Sequence, residues 1–213
     1  MSSIAPIFTA LFVLLCNALF IYLFEKNDDE LKEKINEKSL YKMYALSFVA
    51  GFVIGFLPDP LNSILIVPTV VVFIAAETDM VMQQIYSITC IVCATVGIGF
   101  IYSYNYGAKN YFIHVVICGL LLLVFRAIKA LNTGDVELIF SLTPYLYIAS
   151  MEFSRPTFIE SFLFFLAGTC VFSLVMNFKK YIKDKITSFP FAVPTCVCYC
   201  SYFFFLNVIY YVR

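Results

Sequence analysis

Residues 4–23 read IAPIFTALFVLLCNALFIYL, an apolar run with no charged side chain. Its length matches the ~20 residues that a helix needs to cross a bilayer core. Seven further apolar runs follow, at 44–57, 64–76, 85–102, 111–124, 136–148, 158–176 and 189–212. They are continuous and do not alternate with period two, which argues against a membrane barrel. In lipid every backbone polar group must be satisfied within the protein, which leaves the helix as the spanning element. The expected fold is all-α, a polytopic transmembrane bundle of about eight helices forming one membrane domain over 1–213.

Composition supports this reading. Hydrophobic residues make up 62% of the chain and charged residues 13%, whereas a soluble domain carries about a quarter charged. Mean hydropathy is +0.90. Too little polar surface exists to face water on all sides, so no sizeable soluble domain is expected. Net charge is zero, which gives no basic surface for nucleic acid. All eight cysteines lie in apolar segments, and the spacings Cys90–Cys93 and Cys196–Cys198–Cys200 resemble metal sites. A structural zinc needs four converging ligands, and His114, the only histidine, lies in another segment. The thiols are therefore read as small apolar packing residues. The first run has no basic flank before it and no small-residue cleavage site after it, so it reads as a membrane helix and not a removed signal.

Helices are expected at roughly 4–24, 41–58, 62–78, 84–103, 111–130, 136–151, 157–178 and 188–211. Their connections form two sets. Lys26, Lys32, Lys34, Lys38, Lys42, Arg126, Lys129, Lys179, Lys180, Lys183 and Lys185 lie in or beside one set; Lys109, Arg155 and Arg213 lie in the other. Basic residues favour the cytoplasmic side, so the first set is expected there and both termini outside. The loop 25–38, EKNDDELKEKINEK, is the one long charged stretch, a solvated connector able to form a short helix with i,i+4 pairs. Gly51 and Gly55 form a small-xxx-small pair that lets helices approach closely. Tyr102, Tyr104, Tyr106, Tyr210 and Tyr211 fall near the expected outer interface as belt residues. His114 is expected to hydrogen-bond a neighbouring helix.

Six acids sit in the 25–38 loop; Asp59, Glu77, Asp79, Asp135, Glu137, Glu152, Glu160 and Asp184 are scattered. An acid at a membrane helix end is costly and marks a candidate site. Asp59 has a turn role between two prolines, and Glu152, Glu160 and Asp184 reach the interface. Asp79 and Asp135 fall at helix ends on the same expected side. If they meet, like charge forces them to share a proton, leaving one acid and one base. Such a pair activates water and protonates a leaving nitrogen. An ion pathway, or an N-cap role for Asp135, uses the same residues differently. Gly134 lets backbone or substrate approach Asp135.

Three segments resemble the type IV prepilin peptidases, membrane aspartyl proteases that remove class III leader peptides. In TDMVMQQIYS (78–87), Asp79 and Ile85 keep the family's aspartate-to-isoleucine spacing, with Tyr86 and Ser87 in place of Pro and Asn. NTGDVEL (132–138) is similar to the family's Gly-x-Gly-Asp-Val-Lys-Leu, with Asn132 for the first Gly and Glu137 for Lys. FPFA (189–192) is similar to the entry of the family's last helix. The resemblance covers most of the chain from about residue 40 onward. It implies an aspartic endopeptidase of type IV pilus or protein secretion systems, with Asp79 and Asp135 catalytic. Gly134, Glu77, Glu137 and Asn132 are then supporting or substrate-binding positions. It implies a prepilin or pseudopilin substrate at the bilayer, with no metal and no cofactor. The loop 25–38 has no cysteine, so the family's zinc-bearing insert and its methyltransferase activity are not expected. Alternatives are a related archaellin or signal-peptide-type protease, an ion-coupled carrier, and an inactive assembly scaffold. Oligomeric state is left open.

Overall fold

The structure, a computed structural model, describes residues 5–35, 37–153, 156–184 and 191–212. Side chains of 37–39, 179–184 and 209–212 are not among those described. The expected placements of Lys38, Arg155, Lys179, Lys180, Lys183, Asp184, Lys185, Phe189, Pro190, Tyr210, Tyr211 and Arg213 lie outside the described residues or side chains.

The described chain is all-helical: α1 Ala5–Asn27, α2 Asp29–Lys34, α3 Glu37–Ile54, α4 Leu61–Ile64, α5 Ile66–Met82, α6 Ser87–Ser103, α7 Ala108–Ala127, α8 Thr133–Phe153, α9 Phe158–Asp184 and α10 Ala192–Val212. Taking α4 and α5 as one element, Leu61–Met82, the described residues form nine helices and not eight; the addition is α2 inside the charged loop. Its N-cap Asp28 accepts from the Glu30 and Leu31 N–H groups at 3.1 Å, and Lys34 pairs with Glu30 one turn away. Leu31 is fully buried beneath it, so the connector is docked. Among the described residues, four helices are long and apolar enough to cross a membrane: Ala5–Asn27, Leu61–Met82, Ala108–Ala127 and Phe158–Phe178. Leu40–Ile54, Ser87–Ser103 and Ala192–Val208 are shorter apolar helices.

Helices α5 and α8 form the centre. Every residue of α5 from Pro68 to Asp79 is buried, as is every residue of α8 from Ser141 to Ser150. Around them, α1 and α3 pack on one flank, α6 and α7 on the other, and α10 joins α5 to α9. The peripheral helices send large apolar side chains outward, among them Phe8, Leu15, Phe164 and Val175, as a lipid-facing shell does. A central helix has no lipid face and tolerates more polar groups. Thus Tyr145 of α8 donates to the Cys93 carbonyl at 2.8 Å, and Tyr111 pairs with Thr143 at 3.1 Å. Each such bond satisfies a group that lipid cannot. Pro144 inside α8 meets Gly97 of α6, where an added Cβ would lie 2.7 Å from the proline.

The small-residue pair Gly51 and Gly55, at the close of α3, has a clear role. A Cβ at Gly51 would lie 2.9 Å from the Ala10 Cα, and one at Gly55 2.4 Å from the Pro6 Cα. Backbone meets backbone there, with no flexible side chain to move aside. Gly55→Leu should therefore destabilise the bundle by about 1–3 kcal/mol, the usual cost of overpacking. Gly99→Leu, with nothing within 4 Å of its added Cβ, should not lower the thermal midpoint in detergent. Equal midpoints for the two variants would refute close packing of α1 on α3.

Candidate active site

Asp79 lies in the last turns of α5, which closes at Gln83 in the left-handed conformation, φ 55°. Its carboxylate Oδ2 accepts the Ala192 N–H at 2.8 Å. That N–H opens α10, and the first amides of any helix lack intrahelical acceptors. The carboxylate also favours the positive end of the α10 dipole. Asp135 lies in the first turn of α8, where its Oδ2 accepts the Asn132 N–H at 2.9 Å. This is half of a capping box, a side chain three residues in reaching back to the residue before the helix. Both aspartates are buried, yet each uses one oxygen on a backbone amide.

Both also line one cavity of about 460 Å³, with Gln84, Ile85, Gly134 and Glu137. Ile85 closes onto Gly134: a Cβ added at Gly134 would stand 3.3 Å from the Ile85 Cβ. Ser87 donates to Glu137 Oε2 across the rim. Asn132 lines the cavity with its neighbour Thr133. Thus Asp79, Asp135, Gly134, Glu137 and Asn132 are brought together.

Glu77 is not with them. Two residues on a helix differ by about 200°, so Glu77 and Asp79 leave α5 on opposite sides. Glu77 is buried, and its electrostatic neighbours are Glu25 of α1 and Tyr44 of α3. Its Oε2 has no hydrogen-bond partner among the described residues.

His114 also differs from expectation. Its Nδ1 meets the Asn110 carbonyl of its own helix at 2.8 Å, and the ring packs on Tyr147 and Phe158. The described residues contain no cluster of three or more His, Cys, Asp or Glu side chains fit to hold a metal. Cys93 packs instead against α8, its thiol 3.6 Å from the Ser141 carbonyl.

Sequence reasoning missed the Ala192 amide, Gln84 and Ser87. The amide had a signal: FPFA opens a helix, and a helix opening needs an acceptor. No family model, curated protein or solved structure matches this chain.

Two predictions follow from these contacts. Enlarging Gly134 to Val should drive Ile85 off its seat and destabilise the protein, and Ile85→Ala should recover part of that loss. A double-mutant cycle on thermal unfolding should give a coupling of about 0.5–3 kcal/mol; additive losses would show that the two do not touch. Glu77→Gln should leave the melting temperature equal or higher, because it removes a buried carboxylate with an unmatched oxygen. A drop exceeding about 1 kcal/mol would show that the carboxylate has a partner.

Proposed function

We propose that this chain is a membrane aspartyl endopeptidase of the prepilin-peptidase type. It removes the short basic leader of a prepilin or pseudopilin at the cytoplasmic face, from a bundle of about eight membrane helices with both termini outside. One observation carries the reading. Of three segments far apart in sequence, each similar to a prepilin-peptidase motif, two line one cavity and the third reaches Asp79 through a backbone amide. Asp79 accepts from Ala192, Ile85 seats on Gly134, and the two aspartates share the lining.

The chemistry requires only those carboxylates. With one proton held between them, the ionised aspartate takes a proton from water as its oxygen attacks the scissile carbonyl. The protonated aspartate then delivers its proton to the departing amide nitrogen. The backbone amides on Asp79 and Asp135 fix both carboxylates before substrate arrives, which is the preorganisation that acid–base catalysis needs. The position of the pair favours proteolysis over ion coupling. Both acids sit at helix ends, whereas carriers bind their ions near the bilayer midplane in broken helices.

Lys26, Lys32, Lys34, Lys42, Arg126 and Lys129 all belong to the end of the bundle that carries the aspartates, since they sit at the close of α1 and α7, on α2 and at the start of α3. Basic residues favour the cytoplasm, which supports cleavage on that side. Exposed Asp29, Glu30 and Glu33 of α2 offer negative charge to a basic leader.

The test is cleavage of prepilin-like substrates in co-expressed membranes, followed by gel shift and by mass of the new terminus. Wild type should cleave, and Asp79→Asn or Asp135→Asn should each lower the rate by at least about a hundredfold. Normal cleavage by either variant defeats the dyad. No cleavage by wild type across several substrates moves the scaffold and carrier readings ahead.

A further inference from the structure

One wall of the aspartate cavity is the connection between α5 and α6, which carries Gln84 and Ile85, together with Ser87 at the start of α6. Ile85 and Ser87 are held from the α8 side, by Gly134 and Glu137. Tyr86, between them, points the other way. Its hydroxyl donates to Asp28 Oδ2 at 2.5 Å. Its ring stacks on Phe24 of α1, centroids 4.5 Å apart and planes 10° from parallel. Asp28 is also the N-cap of α2. The Tyr86 hydroxyl first, and the Leu31 amide next, hold the Asp28 carboxyl below its ordinary range. It therefore stays ionised and accepting at neutral pH. Nothing in the proposed chemistry uses this clamp.

We propose that Tyr86 is a positioning residue: gripped by Phe24 and Asp28, it anchors the α5–α6 connection to the α1–α2 corner and so sets the wall that Ile85 and Ser87 present to the aspartates. The charged connector then has a mechanical task beside any attraction for a leader. The Tyr86 carbonyl accepts from the Thr89 hydroxyl at 2.7 Å, which ties the close of the connection to the first turn of α6. The connection is short, it begins at a left-handed Gln83, and Tyr86 opens α6 without a side-chain cap. A residue whose neighbours on both sides face a cavity transmits its own fixing directly to them. The stack and the hydroxyl bond act on different atoms of one ring, so each can be removed alone. The consequence for catalysis rests on the protease reading; the placement of the wall does not.

The experiment uses the full chain in membranes with Ser87→Cys and Glu137→Cys introduced together. These side chains are in hydrogen-bond contact across the rim. Under mild oxidation, the rate of disulfide formation between the introduced thiols, located by peptide mass, reports where the wall stands. Tyr86→Phe keeps the stack and loses the hydroxyl bond, and should slow the crosslink about fivefold. Tyr86→Ala loses both and should slow it further. Asp28→Ala should match Tyr86→Phe, and Asp28→Asn, which still accepts from the hydroxyl, should restore most of the rate. In the chain without the two introduced cysteines, Tyr86→Phe should lower kcat for a prepilin-like substrate more than it raises KM. Crosslinking rates within twofold of the parent for both Tyr86 variants overturn the proposal. So does slowing that only follows a falling melting temperature and that Asp28→Asn fails to restore. If wild type cleaves nothing, the protease reading falls, while the crosslinking arms still decide the clamp.

Discussion

A carboxylate oxygen meeting a backbone amide at the start of a helix is the contact on which this architecture turns, and it is made twice. Asp79 takes the amide of Ala192 and Asp135 takes that of Asn132. Each contact resolves two problems together. A helix start has amides that its own turns cannot satisfy, and a carboxylate among apolar helices is costly without donors. Because the Asp79 bond joins α5 to α10, it also fixes where the last helix enters the bundle. The Asp135 bond is local and sets the turn that leads from α7 into α8. Both place a carboxylate at the same end of the core, on the lining of one cavity.

The central position of α5 and α8 gives that placement its rigidity. Neither helix has a face to spare for lipid along its buried stretch. Their hydroxyls are turned inward, onto carbonyls of their own turns or of neighbours, as with Thr69 to Leu65 at 2.6 Å and Tyr145 to Cys93 at 2.8 Å. Close approach of the flanking helices is possible because glycine stands where they meet, against backbone at Gly51 and Gly55 and against the Pro144 and Tyr145 side chains at Gly97. A site built at the ends of such helices inherits their order, which loops alone do not provide.

Much of this was legible in the amino-acid sequence, and the reason differs from feature to feature. Apolar runs translate into helices because lipid permits little else. Gly51 and Gly55 read as a contact because four residues return to one helix face. The resemblance groups Asp79 with Asp135 through its motifs, and the two line one cavity. The resemblance implies a supporting role for Glu77 beside Asp79. The 3.6-residue period alone sets the two on opposite sides of α5, so that signal was present and unused. That the Ala192 amide needs an acceptor is legible in FPFA, but the acceptor lies 113 residues away in the chain, which no local pattern encodes. The extent of the charged connector's docking was equally hidden. Alternating charges read as solvated, and only a fold around Leu31 makes that residue an anchor.

The two faces of α5 thus carry acids in opposite conditions. Asp79 has an amide donor and an opening onto a polar cavity. Glu77 lies among α1 and α3 with a bare oxygen. An ionised group in the second setting bears a desolvation cost that nothing nearby offsets, whereas the first setting supplies a donor and access for water and substrate. Catalytic use requires a carboxylate that can exchange protons with a bound substrate, and of the two only Asp79 is placed to do so. The same criterion separates Asp135 from the exposed acids of α2, which are solvated on all sides and lack a fixed geometry. Burial, one amide donor and a shared cavity are each common among membrane acids. Their coincidence at Asp79 and Asp135 is what selects this pair from the fourteen acids of the chain.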